Sequence, residues 1–139
     1  MLEAAAAAAG GDLALVGVTV LTSHDPSSYA QTLGRSGVDL NAEVARLAGM
    51  AMDAGLRGVV CSPGEVSLLR KRLGTGPYIV VPGIRRGADA LGDQVRVASA
   101  EDATRNGATH LVIGRPLLQA ADPSALLEDL MKESRCAAP

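Results

Sequence analysis

Four times along its 139 residues this chain passes through a short β-branched stretch and then into a helical pattern. The stretches are Leu13 to Leu21, Gly58 to Cys61, Tyr78 to Val81 and His110 to Ile113. After the first, Ser27 to Leu33 suits a short helical turn. Asp39 to Ala54 then sets Leu40, Val44, Leu47, Ala48 and Met52 on one helical face, with Gly55 as the stop. After the second, Ser62-Pro63-Gly64-Glu65 has the form of a capping box and predicts a helix to about Leu73, ended by Gly74. Ser99-Ala100-Glu101-Asp102 opens a third helix that stops near Gly107, and Asp122-Pro123 opens a fourth from Ser124 to about Glu133. Ala4 to Ala9, closed by Gly10-Gly11, adds a helix in front. Such alternation predicts an α/β fold, with four parallel strands and helices outside them. It does not distinguish an open sheet from a piece of a barrel.

The remaining composition narrows the function classes. One domain over 1–139 is expected, with 135–139 as a mobile tail. A net charge of −2, with no Trp or Phe and only Tyr29 and Tyr78 as aromatics, argues against nucleic acid as a partner. The core must be built from Ala, Val, Leu, Ile and Met. Cys61 and Cys136 have neither metal nor disulfide spacing, so no metal is expected and a reducing, cytoplasmic setting is. Met1-Leu2-Glu3 and its six alanines read as a helix rather than a signal sequence, and no apolar run suits a membrane span.

Chemistry concentrates at two successive strand ends. Val81-Pro82-Gly83-Ile84-Arg85-Arg86-Gly87 leads through a small-residue loop to Gly92-Asp93-Gln94, and Ile113-Gly114-Arg115-Pro116 follows one βα unit later. Glycine lets backbone approach an anion, and a guanidinium fork matches phosphate geometry. In parallel βα barrels the loops after the last two strands commonly form a phosphate site. Solvated loop arginines are the competing reading.

The segments Val18 to Ser23 (VTVLTS), Gly58 to Pro63 (GVVCSP), Val81 to Arg85 (VPGIR), Gly92 to Gln94 (GDQ) and Val112 to Pro116 (VIGRP) resemble the carboxyl-terminal half of bacterial orotidine 5′-phosphate decarboxylase, in that family's order and spacing. The resemblance runs from about Met1 to Pro123. It implies half of a TIM (β/α)8 barrel, the fifth to eighth strands, and a substrate of orotidine or uridine 5′-monophosphate. It implies that Arg85 and Arg115 meet the phosphate, with Gly114 giving backbone access. Gln94 would bridge phosphate and base, and Pro82 and Thr22, with Ser23 beside it, would line the ligand. No cofactor is expected.

The family's catalytic Lys/Asp array, a D-x-K-x-x-D motif, does not occur in these residues. Lys71 lies in Leu69-Arg70-Lys71-Arg72, and Lys132 lies in the last helix. No catalytic residue is therefore assigned. Competing readings stay open for several positions. Thr22-Ser23 suits a plain turn, Gln94 a solvated loop amide, and Asp93 a loop-ordering role. His24 reads as a surface residue, His110 as structural and Cys61 as core. Arg86 stands where relatives often carry proline or alanine.

A half-barrel leaves two unpaired edges and lacks an opposite layer for its inward side chains. About 400 Å² of bare apolar surface corresponds to about 10 kcal/mol of lost burial. A homo-oligomer, such as a homodimer, or a complementary half-barrel is the expected partner. Three functions remain. One is the decarboxylase of pyrimidine biosynthesis, the second a nucleotide-phosphate-binding half-barrel without turnover, and the third a related barrel acting on sugar phosphates.

Overall fold

The computed structural model of the chain describes residues 1–11, 13–85 and 96–136. The element order is α1 (Leu2–Ala9), β1 (Val16–Val18), α2 (Pro26–Thr32), α3 (Leu40–Asp53), β2 (Gly58–Val60), a 3-10 turn (Pro63–Glu65), α4 (Val66–Leu73), β3 (Tyr78–Val81), α5 (Ala100–Arg105), β4 (His110–Leu111), α6 (Arg115–Leu118) and α7 (Pro123–Cys136).

Capping chemistry explains where several helices begin. Asp39 accepts the amides of Asn41 and Ala42, at 2.9 and 3.1 Å, which fixes the start of α3. Asp25 and Ser28 form a capping box at α2, and Ser99 Oγ accepts the Asp102 amide at α5. Glu65 reaches back to accept the Ser62 amide at 2.9 Å. The capping residues expected after β2 therefore shape a 3-10 turn first, with α4 following from Val66.

The strands line up in the order β1-β2-β3-β4, all parallel. One row reads Val16, Gly58 and Tyr78, and the next row of the same face Val18, Val60, Val80 and His110. Gly58 is required by this packing, since a Cβ there would lie 2.3 Å from the Tyr78 carbonyl oxygen. β1 is shorter than the Leu13 to Leu21 run. Its hydrogen bonds reach only from Leu15, whose carbonyl accepts the Arg57 amide, to Thr19, whose amide donates to Val60. The short partner β2 limits it. β4 is likewise shorter than His110 to Ile113, although the Val112 amide still donates to Val81.

Successive side chains of a strand point to opposite faces. On one face Val59, Cys61, Ile79 and Val81 are buried against α3, α4, α5 and α7, with Val44, Ala48, Val66, Leu69, Ala103, Leu126 and Leu130 completing the core. The other face is open: Val18 is 59% and Val112 49% exposed, and Val16 and Tyr78 are exposed as well. Among the described residues, β1 and β4 each pair on one side only. Among the described residues, the sheet therefore has one finished face, one bare apolar face and two free edges.

Two elements differ from the sequence reading. α6 occupies Arg115–Leu118, where only a strand-end loop is expected, because Pro116 sits in the first turn of a helix. α7 extends to Cys136, past the expected end near Glu133, and residues 137–139 of the expected tail lie outside the described residues. His110, expected to enter a buried strand, is exposed on the open face, with its ring edge-on to Tyr78 at 5.2 Å between centroids. Among the described residues, no helix is long and apolar enough to cross a membrane.

Candidate functional site

Because the strands are parallel neighbours, their carboxyl ends form one rim. The segments after β3 and β4 leave that rim side by side, since Val112 still bonds to Val81. Parallel neighbours lie about 4.8 Å apart, so the end of β1 stands about 10 Å from the end of β3.

After β3, Pro82 is half-buried and Gly83 turns the chain with φ +82°, a conformation that L side chains rarely adopt. The next two residues are pinned by a second pass of the chain. Ile84 bridges Ala98, the Arg85 amide donates to the Ala98 carbonyl at 3.0 Å, and the Ala98 amide donates to Gly83 at 3.3 Å. Arg85 is buried, 7% exposed. Its Nη1 donates to the Ile84 carbonyl at 2.8 Å, and its Nε, also buried, has no hydrogen-bond partner among the described residues.

After β4, Gly114 is exposed and caps α6, accepting the Leu117 and Leu118 amides through its carbonyl. A Cβ on Gly114 would meet no atom within 4 Å, so packing does not require glycine there. Arg115 is exposed at the first position of α6. At the end of β1, Thr22 is buried, 9% exposed, whereas Ser23 beside it is exposed. The structure thus places Thr22, Ser23, Pro82, Arg85, Gly114 and Arg115 on the same rim. Gln94, Asp93 and Arg86 lie outside the described residues.

Arg96 is a rim residue that the sequence reading missed. Its Nη1 pairs with Glu65 Oε1, and its Nη2 donates to the carbonyls of Leu21 at 2.9 Å and Val20 at 3.4 Å. Burial lowers the Arg96 pKa from the ordinary arginine value, with the nearby Cys61 acting the other way. Beside it lies a cavity of about 600 Å³ whose lining includes Pro26, Asp39, Asn41, Ser62 and Glu65, and none of the described residues predicted to touch ligand. Burial pushes the Cys61 thiol up to about 12, against the pull of the Arg96 and Arg70 charges, so it is a protonated core group. His24 is half-buried, with Nδ1 3.3 Å from Ser28 Oγ. Among the described residues, no group of three His, Cys, Asp or Glu side chains could hold a metal ion.

Neither lysine offers an ammonium among carboxylates on the rim. Lys71 is exposed on α4, and Lys132 on α7 makes a surface pair with Asp129 at 3.6 Å.

Comparison with known proteins supplies the frame for this rim. Residues 1–130 match the family described as orotidine 5′-phosphate decarboxylase / HUMPS. The orotidine 5′-phosphate decarboxylase of Halorhodospira halophila is 48% identical over 128 residues, covering 90% of this chain and 53% of that protein. That of Alkalilimnicola ehrlichii is 48% identical over 136 residues, covering 96% of this chain and 57% of that protein. Among solved structures, the orotidine 5′-phosphate decarboxylase of Lactobacillus acidophilus superposes with a TM-score of 0.72 at 33% identity, over 87% of this chain and 49% of that one. An uncharacterized conserved protein of Geobacillus kaustophilus gives 0.75 at 29% identity, over 96% and 58%. The chain spans about half the length of the curated relatives it matches. The four parallel strands are those of a partial TIM barrel, and the chain belongs to the orotidine 5′-phosphate decarboxylase / HUMPS family.

Proposed function

We propose that this chain is the ligand-gripping half of an orotidine 5′-phosphate decarboxylase, converting orotidine 5′-monophosphate to uridine 5′-monophosphate and carbon dioxide in pyrimidine biosynthesis once a complementary half is supplied. The carrying observation is Arg85: a buried guanidinium at the strand-end rim whose Nε has no partner among the described residues. A buried charged donor left unpaired is costly, and a phosphate oxygen would satisfy it. Gly114 supports the same reading, because its lack of a side chain leaves open backbone where packing makes no such demand.

In this proposal Arg85 and Arg115 hold the phosphate, the Gly114 backbone approaches it, and Gln94 bridges phosphate and base. Pro82 lines the ligand, and Thr22, with Ser23 beside it, meets the pyrimidine. The reaction breaks the bond between the 6-position carbon and its carboxylate. Carbon dioxide departs, the electron pair stays on the ring carbon, and a proton must then be delivered there. The phosphate grip contributes binding energy remote from that carbon, which can be used in the transition state. The protein works in the cytoplasm, as a homo-oligomer or joined to the other half-barrel.

The positions of Lys71 and Lys132 favour a second reading for the chain alone, a half-barrel that binds nucleotide without turnover. An ultraviolet decarboxylation assay separates the two. Activity that appears only on mixing with an amino-terminal half from a relative supports the proposal. Turnover by the lone chain would overturn the assignment of the proton donor to the other half. Calorimetry with uridine 5′-monophosphate reads the grip, and an R85Q variant is expected to weaken binding about tenfold or more, as loss of a charge-assisted contact does.

A further inference from the structure

Arg96 contacts the rim at more than one strand end. Its Nη2 donates to the carbonyls of Val20 and Leu21, immediately before Thr22. Its Nη1 pairs with Glu65, whose other oxygen accepts the Ser62 amide at the end of β2. Two residues later, Ala98 exchanges hydrogen bonds with Gly83 and Arg85 beyond β3. One guanidinium thereby joins the ends of β1 and β2, and the backbone two residues further on ties the same segment to the end of β3. The Glu65 side chain is 4% exposed and that of Arg96 20%, so the pair is shielded from the solvent that weakens surface pairs. Only a fork of fixed donors reaches a carboxylate and two carbonyls together; a lysine ammonium supplies a single point.

We propose that Arg96 is a positioning residue that sets the distance between Thr22 and Arg85, so that base and phosphate are held at a fixed span. The inference rests on the nucleotide reading for its purpose but not for its geometry. Glu65 is the counterpart that keeps the guanidinium in place.

The test uses the full chain without ligand. Wild type, R96K, R96M and the E65Q/R96M double variant are compared by melting temperature, amide hydrogen exchange at Arg85 and the methyl order parameter of Thr22. R96M is expected to speed Arg85 exchange about tenfold, as local opening does, and to lower order at Thr22. The double variant, with no orphaned charge, should recover the melting temperature but neither of the local readouts. R96K should fall between. Recovery of both local readouts by the double variant would show a charge-balancing role alone and overturn the proposal, as would unchanged Thr22 and Arg85 in R96M. In a parallel titration, R96K is expected to weaken uridine 5′-monophosphate binding about tenfold or more, since small misplacements cost that much. If wild type binds no nucleotide, the functional reading falls, while exchange and order still decide on Arg96.

Discussion

Single residues at the strand ends are held in three different ways, and each has its own signature. Gly58 is fixed by contact with the neighbouring strand. Gly58→Ala is expected to destabilise the chain by about 3 kcal/mol, because the obstacle is backbone and cannot rotate away. Gly83 is fixed by its dihedral angle instead, and Gly83→Ala should cost about 1–2 kcal/mol in urea unfolding. Cys61 is fixed by burial. Its folded pKa of about 12 lies above the ordinary 9.0, so between those values the folded state binds the proton that the unfolded state has released. Stability present below about pH 9 is therefore lost as pH rises toward 12, at up to about 1.4 kcal/mol per unit. Cys61→Ala should flatten that alkaline slope relative to wild type, a comparison that unfolding at pH 8, 9 and 10 provides. Glu43 follows the opposite sign. The Arg46 guanidinium holds it below the usual carboxylate range, so its contribution fades as pH falls toward and below that range.

At the scale of elements, helix starts were written plainly in the chain, because a cap is a local bond between residues two or three apart. Asp39 illustrates this, and Asp39→Ala is expected to lower stability by about 1 kcal/mol in thermal unfolding. Strand identity was equally legible from the β-branched runs at Val16–Val18 and Tyr78–Val81. Strand length was not, since a strand ends where its partner's hydrogen bonds end, and β2 supplies only three residues. α6 escaped notice because Gly114-Arg115-Pro116 reads as loop punctuation, although proline also suits a helix's first turn. The rim residues Thr22, Arg85 and Gly114 could be picked out from their strand-end positions and from family resemblance. Arg96 could not. Its partner Glu65 lies 31 residues away and its carbonyl partners 75 and 76, separations that leave no spacing pattern to read.

Over the whole molecule, the sheet's two faces set what the chain requires of a partner. The helix-covered face holds the core, so a charge on the open face should leave the folded chain nearly unchanged. Val18→Lys is accordingly expected to shift stability by no more than about 0.5 kcal/mol. Under the proposed function, the same substitution should abolish decarboxylation in mixtures with an amino-terminal half, because closing the barrel would bury an unpaired ammonium. Sedimentation should show association of the wild-type chain at micromolar concentration and less of it for Val18→Lys.

The pairing of Tyr78 with His110 on the open face also has an optical consequence. With no tryptophan in the sequence, near-ultraviolet absorption comes chiefly from two phenols, and one of them looks out from the uncovered sheet. Anything that settles over that sheet must take Tyr78 out of water. Its red-shifted difference spectrum, and its lost quenching by dissolved iodide, would then report the covering of this surface without any attached dye.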